Sequence, residues 1–202
     1  MSANPGATTS PKCNTFILFF CVKCLCVTAQ SKYNFEPRAG LSWGQPIVAE
    51  KLPEGRSYKP RLLLGYWSVA DLFRRKPSRL LVYIEPQLVY VPFDDGTAPA
   101  FEFGVNAGLE FQKPVGARGF LTAAIGSGPH YITVETDLQH KGYIFSDNFE
   151  VGWRQSLGAS PWRLALKCRF RHISNANLMK PNKGIDNWFV ILGLTRALHA
   201  RT

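Results

Sequence analysis

Between Phe101 and Gln112 every odd position is apolar and every even position is polar or glycine. Phe101, Phe103, Val105, Ala107, Leu109 and Phe111 alternate with Glu102, Gly104, Asn106, Gly108, Glu110 and Gln112. Successive side chains of a β-strand point to opposite faces of its sheet, so this segment makes a strand with one apolar and one polar face. A helix would need apolar residues three and four apart, and from Tyr33 onward that spacing is almost absent. Alternation at two recurs around residues 33–44 (Phe35, Leu41, Trp43), 57–67 (Tyr58, Leu62, Leu64, Tyr66), 79–92 (Leu80, Val82, Ile84, Leu88, Tyr90) and 117–126. It continues through 141–154 (Tyr143, Phe145, Phe149, Val151, Trp153), 161–174 and 186–198. A strand protein follows, with eight strands expected.

Eight is an even number, and most of these runs are about ten residues or longer. Strands of roughly 9–11 residues cross the hydrocarbon of a bilayer when tilted, with apolar residues outward and polar residues inward. The expected fold class is therefore all-β: an eight-stranded antiparallel transmembrane β-barrel of outer-membrane type. Tyr58, Tyr66, Tyr90, Tyr143, Trp43, Trp153, Trp162 and Trp188 fall near strand ends, where an aromatic girdle would lie. The polar faces carry Glu85, Glu102, Glu110 and Glu150 alongside Arg163, Lys167, Arg169 and Arg171, a set able to pair inside a barrel too narrow to be a pore. The competing arrangement is a soluble barrel of lipocalin type with the same alternation inverted, which would have to pack the aromatics into one small lumen.

The first 29 residues are expected to be a separate leader, and residues 30–202 the barrel. Residues 15–22 form a short apolar run behind Lys12, and Val27-Thr28-Ala29 supplies small residues, as at a signal-peptide cleavage site. Four of the five cysteines lie in that leader, so no disulfide framework is implied for the body. The Cys21/Cys24 spacing has no second pair or histidine cluster to complete a metal site. The formal net charge of +10 implies attraction to an anionic partner. Its basic residues are scattered and alternate with large apolar ones, which suits a sheet near anionic lipid better than a nucleic-acid-binding arm.

Within Trp162–Ser174 one set of alternate positions reads Trp162, Leu164, Leu166, Cys168, Phe170, His172 and Ser174. A histidine and a serine thus end the apolar face, their α-carbons roughly 6.5 Å apart along a strand. An 11-residue connection, 175–185, containing Pro181, Asn182 and Gly184 leads into the last strand, where Asp186 shares the parity of Trp188, Val190, Leu192 and Leu194. Ser174, His172 and Asp186 can then meet at one rim, as hydroxyl nucleophile, imidazole base and orienting carboxylate. Asn175 and Asn182 bring amide N–H groups suited to a developing oxyanion. Three polar groups on a lipid-facing surface are costly, and such groups mark functional sites. Cys168 reads as a small apolar residue, while His140 and His199 read as surface residues. His130, behind Gly126-Ser127-Gly128-Pro129, has no following helix to complete a phosphate cradle.

Arg-His-Ile-Ser-Asn-Ala at 171–176, followed by Lys-Pro-Asn-Lys-Gly-Ile at 180–185, closely resembles the signature of the PagL-type lipid A 3-O-deacylases, also called acyloxyacyl hydrolases. The resemblance implies an outer-membrane barrel that removes an ester-linked acyl chain from the lipid A of lipopolysaccharide, with no metal or other cofactor. By position it implies Ser174 as nucleophile, His172 as general base, and Asn175 and Asn182 as oxyanion or site-shaping residues. The family's third member is a glutamate, and here Asp186 stands in that place, one methylene shorter, which predicts either a different register or a reduced activity. The reading from a different class is a non-catalytic outer-membrane barrel with a binding or structural role, in which His172 and Ser174 are simply polar rim residues.

Overall fold

The computed structural model describes residues 37–75 and 77–198. The leader expected over residues 1–29, with Cys13, Cys21, Cys24 and Cys26, lies outside the described residues, as do Phe35 and His199. The strands are β1 (Arg38–Val48), β2 (Glu50–Lys51), β3 (Ser57–Tyr58), β4 (Arg61–Arg75), β5 (Ser78–Val91), β6 (Ala100–Val115), β7 (Gly119–Ile132), β8 (Gly142–Ser156), β9 (Trp162–Ser174) and β10 (Ile185–Ala197). Eight of them close an antiparallel barrel in sequence order from β4 to β10, with β1 pairing both β10 and β4, so no sheet edge is left open. The remaining two, β2 and β3, pair with each other in the connection between β1 and β4.

The alternation sorts the side chains as a membrane barrel requires. Phe103, Leu121, Ile125, Phe149, Val151, Leu166, Trp188 and Leu192 stand on the outside, where Phe149 is 54% and Leu192 56% exposed. Charged side chains point inward. Arg169 bridges Glu85 and Glu150 at 2.7 and 2.8 Å, Lys167 meets Glu150 at 2.8 Å, and Arg171 pairs with Glu102. A contiguous apolar outer band with an ion-paired interior is the reverse of a soluble carrier barrel, and it faces lipid.

Connections are short at one end of the barrel, at 76–77, 116–118 and 157–161, and long at the other, at 49–60, 92–99, 133–141 and 175–184. In barrels of this architecture the long loops are extracellular. Aromatic pairs gather on the outer wall, among them Tyr90 with Phe101, Phe103 with Tyr131, and Phe170 with Trp188, with ring centroids 5.3–5.6 Å apart.

Two expectations need correction. Tyr58, Leu62, Leu64 and Tyr66 do not face lipid; all four are buried inside. Residues Leu62, Leu63 and Leu64 are apolar in succession, so alternation could not choose a face, and Leu63 and Trp67 take the outer one. Tyr58 and the two leucines join Leu52, Val91, Ile144 and Ile173 in an apolar plug beneath the long loops. Tyr66 stacks on Tyr83 within the barrel, at 5.7 Å between ring centroids, and therefore belongs to no girdle. The second correction concerns the ionic interior. Glu110 pairs with Arg154, at 2.5 Å, a cation outside the expected set. His130 is also internal, with Nε2 3.0 Å from Asn106 Oδ1.

Candidate active site

Strands β9 and β10 set the site by register. His172 and Asp186 are direct cross-strand partners, and both side chains point to the outer wall. Asp186 Oδ1 lies 2.6 Å from His172 Nδ1. A carboxylate at that distance fixes the imidazole with its proton on Nδ1, leaving Nε2 as the acceptor. The direct opposition of the two residues brings the short aspartate side chain within reach of the ring. His172 and Asp186 keep 36% and 54% of their side-chain surface accessible, so a substrate arriving along the outer wall can reach them.

Ser174 follows two residues after His172 on the same face of β9, at the last position of the strand. Among the described residues its hydroxyl has no hydrogen-bond partner. The His172–Asp186 half of the expected trio is thus formed, and the serine stands beside it without yet bonding to the ring. Such bonds commonly tighten only when substrate is bound.

The 175–184 connection is tied down from both sides. Asn175 N–H donates to Asn182 Oδ1 at 2.8 Å, and Asn175 Nδ2 donates to the Met179 carbonyl at 2.8 Å. Asn182 Nδ2 donates to Asn177 Oδ1 at 3.3 Å. One N–H of each amide is therefore committed to holding the loop, and each side chain has a second N–H left. The neighbouring 133–141 loop docks onto the same connection: His140 N–H donates to the Pro181 carbonyl at 2.8 Å, and Lys183 N–H to the Leu138 carbonyl at 2.7 Å. The side chain of His140 lies near Glu135, 3.8 Å away.

Gly184 closes the site from above. Its φ of +79° is a backbone conformation that glycine adopts at little cost. A Cβ on this residue would lie 2.4 Å from His172 Cε1, so the missing side chain is what makes room for the imidazole.

One polar pair on the outer wall escaped the alternation pattern. Asp147 on β8 is the cross-strand partner of His172 on the side away from Asp186, and Ser127 on β7 is the partner of Asp147. Ser127 Oγ donates to Asp147 Oδ1 at 2.5 Å. The signal was present in the sequence, because Asp147 interrupts the outward series Tyr143, Phe145, Phe149 and Val151.

Residues 61–195 match the lipid A 3-O-deacylase (PagL) family. The chain belongs to that family. No curated protein sequence matches it. The crystal structure of the outer membrane enzyme PagL is similar to it, with a TM-score of 0.58 at 16% identity over 77% of this chain and 97% of that one. Neisserial surface protein A (NspA) shares the barrel at a TM-score of 0.51 and 11% identity, over 80% of this chain and 96% of its own. At these identities the two structures speak to the fold. This member of the PagL family is a bacterial outer-membrane β-barrel, and its family is one of ester hydrolases acting on lipid A.

Proposed function

We propose that the protein removes an ester-linked acyl chain from lipid A, with Ser174 as nucleophile, His172 as general base and Asp186 as the carboxylate that orients and steadies the imidazole. The observation that carries this reading is the 2.6 Å contact between Asp186 and His172 Nδ1 on the outer wall, with Ser174 next along the same face.

In the first half-reaction His172 Nε2 takes the Ser174 hydroxyl proton as Oγ attacks the ester carbonyl carbon. The carbonyl electrons move onto oxygen, for which the second N–H groups of Asn175 and Asn182 serve as donors in this reading. Collapse of the tetrahedral intermediate breaks the bond to the lipid alkoxide, which takes the proton from His172. Water then attacks the acyl-serine by the same route, returning the proton to Ser174 and releasing the fatty acid. Asp186 stays ionised and pairs with the imidazolium formed in each half. The net charge of +10 favours a phosphorylated, anionic lipid.

Purified protein incubated with lipopolysaccharide should release fatty acid, and Ser174→Ala protein should release none. Release by the variant at the wild-type rate contradicts the proposal. The second reading, a non-catalytic surface barrel, is favoured by the barrel shared with Neisserial surface protein A. Under it neither protein releases fatty acid.

A further inference from the structure

Positive charge is divided unevenly between the two ends of the barrel. Around the long loops cations and carboxylates are mixed and paired, as Lys59 is with Asp94 and Arg56 with Glu54. At the short-turn end the exposed charged side chains among the described residues, Lys113, Arg118 and Arg196, are all basic. None of the three has an ion-pair partner among the described residues. The described acids of that half, Asp71, Glu110 and Glu150, are buried, so no carboxylate on the outside offsets these cations. The short turns are the periplasmic end of such a barrel, and the uncompensated charge therefore faces the periplasmic leaflet.

Strand geometry sets the depth of these cations. Asp186 and Arg196 bound the outward face of β10, with only Trp188, Val190, Leu192 and Leu194 between them. The roughly ten residues from one to the other span about 33 Å, which at a tilt of roughly 40° rises about 25 Å, the height of the apolar band. With Asp186 at the outer boundary, Arg196 stands at the headgroups of the opposite leaflet. On β6 the outward apolar series from Phe101 to Phe111 likewise ends in Lys113, and Arg118 lies in the turn that follows. Trp162 is the register partner of Arg196, whose guanidinium lies 5.6 Å from the indole centroid. An indole settles at headgroup level and holds the guanidinium there. The occupant of this rim must carry negative charge at the headgroup and hydrocarbon beside the barrel. We propose that Lys113, Arg118 and Arg196, with Trp162, bind the phosphate of anionic phospholipids in the periplasmic leaflet, below the wall that carries His172 and Asp186. The inference does not depend on the deacylase reading, and its test reads lipid binding alone.

The test titrates the folded barrel in detergent with phosphatidylglycerol and, separately, with phosphatidylcholine of the same acyl chains, and reads bound lipid by native mass spectrometry. Each cation near an anionic headgroup corresponds to about a fivefold gain in affinity. Wild-type protein should bind its first phosphatidylglycerol at least about fivefold more tightly than phosphatidylcholine. The combined variant Lys113→Gln, Arg118→Gln, Arg196→Gln should bind the two lipids alike. A second variant removes the same charge from the long-loop end, by Lys51→Gln, Arg61→Gln and Lys141→Gln, and should keep the wild-type preference. Heat-modifiable migration on a gel checks that each variant is folded. Arg118→Gln alone serves if the combined rim variant does not fold, because it lies in a turn, and it should narrow the preference in the same direction. Equal binding of the two lipids by wild-type protein overturns the proposal. So does a preference that the rim variant keeps, or one that the long-loop variant loses to the same extent. Inorganic phosphate, titrated alone, should not bind; phosphate held by wild-type protein as tightly as the lipid, and lost from the rim variant, would overturn a phospholipid as the occupant.

Discussion

His172 and Asp186 face each other across β9 and β10 as direct register partners, with Nδ1 and Oδ1 2.6 Å apart on the outer wall of the barrel. The pair depends on parity, since a slip of one residue in either strand would send one of the two side chains into the lumen. Removing the carboxylate leaves the imidazole without the group that fixes its tautomer and offsets its charge. Asp186→Ala should lower fatty-acid release from lipopolysaccharide by about a hundredfold to ten-thousandfold, the range typical of positioned acid–base catalysis. Asp186→Glu keeps a carboxylate within reach and should stay within about tenfold of wild type. Initial rates of fatty-acid release measure both.

Gly184 makes the second claim on His172. A methyl group there would collide with Cε1 and would also require a residue with a side chain to hold φ near +79°. Gly184→Ala should reduce hydrolysis at least about tenfold by turning the ring away from Asp186. The strands are untouched by this change, so heat-modifiable migration on a gel should remain that of the folded barrel.

The ion pairs inside the barrel bear on stability rather than chemistry. Arg169 is buried between Glu85 and Glu150, and Arg169→Met would leave buried carboxylates short of their partner. Removing one member of a buried pair costs about 3–5 kcal/mol. Urea unfolding in lipid vesicles should show a loss of that order.

The outer face responds in the opposite sense. Leu192 is 56% exposed in the protein alone and faces lipid in the membrane. Leu192→Arg should destabilise the barrel in vesicles by about 2–4 kcal/mol if it lies near the bilayer midplane, with a smaller effect closer to the interface. The same unfolding measurement decides this.

Alternation alone made most of the barrel legible, because one buried and one lipid-facing side impose a period of two on β6, β8, β9 and β10. It failed where both faces are apolar. On β4 the run from Leu62 to Leu64 serves the internal plug and the outer wall together, so its period carries no face information. The site was legible to the extent that it obeys parity: His172, Ser174 and Asp186 all lie on the outward set. Three details depended on register between strands and were hidden from a one-dimensional reading. One is the direct opposition of His172 and Asp186. Another is the packing of Gly184 on the imidazole. The third is the row that adds Asp147 and Ser127, although Asp147 had already announced itself as a charge in an apolar series.

The central claim is that Ser174 is an activated nucleophile on the outside of the barrel. A fluorophosphonate probe reacts with such a serine, and peptide mass spectrometry after tryptic digestion locates the adduct. The expected result is a single phosphonylated serine at Ser174, with labelling lost in Ser174→Ala protein and strongly reduced in His172→Ala and Asp186→Ala proteins. An adduct on Ser127 in place of Ser174, or labelling of Ser174 that is indifferent to His172 and Asp186, would contradict it.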